Sequence, residues 1–176
     1  MDFKGYRVKI IIIVLILTIA LLVGGAMLFD RTMVQRPLAS VLDERDQIRE
    51  HDTFTRNGVT TVMIRLGDIE DWPVFYRSLG VDIKEVLGER PFQLEIEDSR
   101  DEVLTQAYGR MHYALQEAAV KGNFVMMAEL VDHIAQELEL DDYQLQVDEE
   151  NIFVKLRHEN FRLYEVVGRM PEGSDS

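Results

Sequence analysis

The segment FQLEIEDSRDEVLTQAYGRMHYALQEAAVKGN, residues 92–123, contains the change of period on which the fold turns. Phe92, Leu94 and Ile96 alternate with Gln93, Glu95 and Glu97, the two-residue period of a strand with one buried and one wet face. Ser99 followed by Glu102 then forms a capping box. Val103, Leu104, Ala107, Tyr108, Met111, Leu115 and Ala118 recur at helical spacing, which predicts a helix to about Lys121, ended by Gly122.

Working downstream, Asn123 is placed to cap a second helix with the stripe Met127, Leu130, Val131, Ile134, Ala135 and Leu138. Two helices joined by a Gly-Asn corner are expected to pack as an antiparallel hairpin. Three short strands follow at 143–147, 152–156 and 161–167, separated by polar turns, and read as a meander.

Upstream, β-branched residues alternate from Val59 to Leu66, which predicts a strand broken by Gly67. Asp71 can cap a short helix that starts at Trp72-Pro73 and stops at Gly80. A second short helix is expected from Asp82 to Leu87. The fold class is therefore α+β, with a largely antiparallel sheet of about five strands packed on a helical hairpin.

The N-terminus reads differently. From Ile10 to Phe29 only Thr18 is polar, and a helix of that length spans ~30 Å, the thickness of a bilayer core. A single transmembrane helix is expected there. The rival reading is a signal peptide cleaved near Gly24 and Ala26, but the apolar run continues through Met27, Leu28 and Phe29 with no polar segment before a cleavage site. Lys4, Arg7 and Lys9 precede the stretch, which puts the N-terminus in the cytoplasm and the remainder outside, at the cell membrane. The expected organisation is a basic tail at 1–9, the span at 10–29, a helical stalk at 30–57, the α+β domain at 58–168 and a disordered tail at 169–176. Leu38, Val41, Arg45 and Ile48 give the stalk a seam that could pair with a second copy.

Charge narrows the partners. The chain carries −13 overall and the residues before Asp30 carry +2, so the remainder holds −15. Such a domain repels phosphate backbones, which argues against nucleic acid. There is no cysteine, hence no thiol nucleophile, thiolate site or disulfide.

No motif fixes a reaction. Walker, GxGxxG and GxSxG patterns are missing, and so is HExxH. No catalytic, cofactor or metal residue is assigned. His112 and His133, with Glu117 or Glu129, are the only metal or acid–base candidates, and their isolation in sequence favours ordinary hydrogen-bonded roles. Trp72, Phe75 and Tyr76 form one apolar cluster, and Tyr108, Met111, His112 and Phe124 could line a pocket between hairpin and sheet. Core packing is the default reading of the Trp72, Phe75 and Tyr76 cluster and of the residues around Phe124.

The leading expectation is a membrane-anchored, extracytoplasmic scaffold or interaction domain, without catalysis, binding a protein partner or a second copy of itself. The alternatives are a ligand- or lipid-sensing domain and a hydrolase using His112 or His133 with a carboxylate.

Overall fold

Asn57 and Gly58 take positive φ angles of 54° and 81°, the left-handed pair that a two-residue hairpin needs. They join β1 (Ile48–Arg56) to β2 (Val59–Leu66), paired antiparallel from Arg56 opposite Val59 outward. In the computed structural model, which describes residues 13–22, 24 and 35–170, the stretch read as a stalk thus holds a strand. Its sequence, IREHDTFTR, is exposed over most of its length and shows no apolar alternation.

The helical residues 13–22 are designated α1, and α2 spans Arg36–Asp43. Leu38 and Leu42 of α2 are buried against α3 (Trp72–Leu87). Asp71 caps α3 as expected, its carboxylate accepting from the Val74 amide at 3.1 Å. The helix runs through Gly80 instead of stopping there, because Leu79, Ile83 and Leu87 continue one buried stripe. It ends at Gly88, which takes a φ of 62°. After α3, β3 (Phe92–Glu97) pairs parallel with β2, completing a βαβ unit.

Next come α4 (Glu102–Lys121) and α5 (Phe124–Glu137), followed by the meander β4 (Asp142–Val147), β5 (Asn151–His158) and β6 (Phe161–Gly168). Asp101, not Ser99, caps α4: its carboxylate accepts from the Leu104 amide at 2.8 Å. Asn123 makes no side-chain cap bond.

The fold class needs correction in two respects. The strands form two three-stranded sheets, β1-β2-β3 and β4-β5-β6, rather than one sheet of about five. The β2–β3 pairing is parallel because α3 carries the chain back across the sheet. Second, among the described residues no helix is long and apolar enough to cross a membrane. The expected span from Ile10 to Phe29 is described as helix only at 13–22 and 24, and its other residues lie outside the described ones.

The meander is buried on both faces. Ile152, Val154, Leu156, Leu163 and Val167 pack on the α4–α5 hairpin. Phe153 and Tyr164 enter a second core with Trp72, Phe75, Leu79 and the β2 side chains Val62 and Ile64. A strand covered on both sides is expected to read as an almost continuous apolar run, as Ile152-Phe153-Val154 does. The central sheet therefore holds the two halves together.

Candidate functional site

Pairing geometry leaves one row of main-chain groups open where the two sheets meet. The Thr60 amide donates to the Pro91 carbonyl at 3.0 Å while Thr60 stands opposite Phe92. In a parallel ladder this turns the amides and carbonyls of residues 93, 95 and 97 toward β2, and those of Phe92, Leu94 and Ile96 outward. β3 is an edge strand, and among the described residues nothing bonds to that outward row.

β6 is the facing edge of the other sheet. The two edges touch at one end, where the Ser99 amide donates to the Arg162 carbonyl at 3.1 Å and the Arg162 amide donates to Ser99 Oγ at 3.2 Å. Beyond that contact no ladder joins them. A cavity of ≈ 140 Å³ lies there, lined by Tyr76, Leu94, Ile96, Tyr164, Glu165 and Val166. At ~30 Å³ per water it has room for one side chain, well short of the ~300 Å³ and more of small-molecule sites.

The two faces of this cleft differ. Leu94, Ile96, Tyr164 and Val166 belong to the core around Trp72. Glu165 lies between Tyr164 and Val166, so alternation along β6 aims it at the hairpin face, with Leu163 and Val167. There Arg100 Nη2 stands 3.8 Å from Glu165 Oε2. Arg100 is already committed to Asp98, with Nε at 2.8 and 3.0 Å from its two oxygens and Nη2 at 2.6 Å. Burial pushes the Glu165 carboxyl above its ordinary range; Arg100 pulls it back, and Asp98 adds to the rise.

Tyr108 and His112 stand beside this group. Arg100 lies 5.5 Å from the Tyr108 ring centre, and the Tyr108 hydroxyl is 3.3 Å from His112 Nδ1. Burial pushes Tyr108 up to about 12, with a further contribution from the Glu165 charge. A hydroxyl that stays protonated serves as a hydrogen-bond donor, not a base.

The other residues singled out in the sequence are dispersed. Trp72 is the centre of the second core, its ring centroid 5.2 Å from Tyr164 and 5.4 Å from Tyr76, and its Nε1 donates to the Glu165 carbonyl at 3.2 Å. Phe75 is buried beside it, 6.2 Å away. Met111 is fully buried, so the space between hairpin and sheet is filled instead of forming the pocket that Tyr108, Met111 and Phe124 were expected to line. Phe124 packs under Arg169, whose guanidinium is 4.8 Å from its ring centre. His133 is exposed on α5 and pairs with Glu137 at 3.7 Å, away from the Tyr108 contact of His112. Among the described residues no three His, Asp or Glu side chains are grouped to hold a metal ion.

A larger cleft of ≈ 560 Å³ lies between α2 and α3, lined by Val41, Glu44, Arg45, Asp82, Glu85 and Val86. Within it Arg45 bonds both Ser78 and Asp82. Sequence reasoning overlooked Asp98, Arg100 and Glu165. A lone acid inside the apolar strand LYEVV was the available signal for the last of these. The His158–Asp101 pair, at 2.6 Å, was also overlooked, because 57 residues separate its members.

The chain matches no protein-family model, no curated protein and no solved structure.

Proposed function

We propose that this protein is a non-enzymatic interaction domain, a subunit of an extracytoplasmic complex at the cell membrane, which receives an extended segment of a partner protein along β3. One observation carries the reading: the outward main-chain groups of Phe92, Leu94 and Ile96 form an unpaired row beside a cleft. An open edge of this kind is a template for strand addition, in which main-chain bonds supply affinity and alternate side chains supply specificity. The filled space between hairpin and sheet supports a scaffold over a ligand sensor. His133 pairs with Glu137 on an exposed helix face and His112 with Tyr108, and neither histidine lines the cleft beside β3.

Membrane association is supported by α1, whose apolar residues 13–17 stand more than half exposed. A surface of that kind favours lipid or another apolar partner.

A photoreactive residue in place of Gln93, which is exposed on β3, tests the assignment in native membranes. It should form an adduct with a partner chain. Leu94→Pro removes one outward donor and blocks the edge while leaving the β2-facing bonds of residues 93 and 95 in place. The adduct should disappear in that variant, with urea unfolding confirming that it folds. An adduct that persists in the folded variant contradicts strand addition at β3, and so does the lack of any adduct in the unblocked chain.

A further inference from the structure

We infer that the segment taken up at β3 alternates apolar and basic residues, with the basic side chains directed to Glu165 and Glu95 and an apolar one seated against Tyr76. This inference rests on the reading of β3 as a receiving edge and adds the chemistry of the occupant.

Two independent features argue for the alternation. On one side of the cleft, Leu94 and Ile96 of β3 and Val166 and Tyr164 of β6 converge on the same core around Trp72, and the cavity between them accommodates one side chain. Side chains of an added strand point alternately to the two faces, so every second residue meets this apolar side.

On the opposite side, the pleat places Glu95 with Gln93 and Glu97, away from Leu94 and Ile96. Glu97 is satisfied by Arg65 at 2.9 Å, but Glu95 has no partner among the described residues. Glu165, on the hairpin side of β6, is half-buried, and the nearest cation is Arg100, already bound through Nε and Nη2 to Asp98. On the same side of the cleft, Glu95 thus lacks a cation among the described residues and Glu165 shares one guanidinium with Asp98. A second copy of this chain is disfavoured as occupant, because the chain carries a net charge of −13 and would bring acid to acid. A basic strand supplies the missing charge, and a carboxylate gains most from a cation where water is partly excluded.

The test uses the full chain in detergent and two synthetic peptides of about six residues, one alternating valine with lysine and the other valine with glutamate. The valine–lysine peptide should bind and slow amide exchange at Leu94 and Ile96. Glu165→Gln should weaken it about tenfold, and the valine–glutamate peptide should not bind. Equal binding of both peptides with slowed exchange at β3 overturns the basic occupant and leaves strand uptake standing. A valine–lysine peptide that binds equally well when N-methylated on alternate residues shows charge attraction alone, and overturns strand uptake itself. If neither peptide binds, the inference fails, since the valine–lysine peptide carries both features it requires.

Discussion

Tyr164 of β6 holds Ile69, in the connection between β2 and α3, through a single hydroxyl: it accepts from the Ile69 amide at 3.0 Å and donates to the Gly67 carbonyl at 2.9 Å. The neighbouring strand adds a second hold on the same residue, with Lys155 Nζ donating to the Ile69 carbonyl at 2.8 Å. These bonds tie the second sheet to the connection that follows β2. Lys155 is buried to 5% exposure, and an amine so placed needs partners.

Tyr164→Phe strands a buried amide and a carbonyl without changing shape. The expected loss is about 1–3 kcal/mol, read as a lower urea midpoint with an unchanged slope. Lys155→Met leaves the Ile69 carbonyl unpaired and should also lower the midpoint. If Tyr164→Phe were as stable as the parent, the hydroxyl would not be a fastening between the sheets.

Glu165→Gln should raise stability near neutral pH while weakening partner uptake. Burial raises the Glu165 carboxyl above its unfolded value, so the stability it contributes is fully present below the ordinary carboxyl range and is lost as pH rises through the folded value. The gap between variant and parent should therefore open with rising pH and close in acid. Denaturant midpoints at several pH values check this, and a parent more stable than the variant at neutral pH would contradict it.

The His158–Asp101 pair predicts a second pH effect. A bond from Asp101 raises the His158 imidazole, so its contribution is complete below ~6.5 and is lost as pH climbs through the raised folded value. Asp101 has the opposite sign: burial pushes it up, but the Leu104 amide and His158 outweigh burial, so its contribution falls away only in acid. The midpoint of the parent should drop between mildly acidic and mildly alkaline buffer by more than that of His158→Gln. Parallel profiles would show that the pair is not coupled to folding.

Gly80 and Gly109 lie inside α3 and α4 with nothing within 4 Å of the position a Cβ would occupy. Replacing either by alanine should stabilise the chain by about 0.5–1 kcal/mol, since the unfolded glycine has more freedom to lose. Thermal unfolding of Gly80→Ala decides this, and a lower melting temperature would mean that α3 requires a flexible point there.

How much could be read in advance depended on whether burial left a period. The stripe Leu104, Met111, Leu115 and Ala118 gave α4 clearly, since each of these residues meets the meander. The three meander strands were legible from their β-branched and aromatic runs. β1 was not, because IREHDTFTR takes its conformation from pairing with β2 and not from an apolar face. Gly80 was read as a stop because a glycine in a helix is costly, yet tertiary burial of Ile83 and Leu87 outweighs that cost. The split into two sheets depends on contacts such as Tyr164 to Ile69, across 95 residues. The candidate site was hardest to see, because its defining feature is a row of main-chain groups, and main-chain groups are the same at every residue.

Amide hydrogen exchange along β3 tests the central claim most directly, and it needs no knowledge of the partner. In the free chain, the amides of Gln93 and Glu95 should be protected by β2 while those of Leu94 and Ile96 exchange rapidly, giving an alternating pattern along one strand. Uniform protection across residues 92–97 would show that the edge is already occupied, and the account of β3 as a receiving strand would be wrong.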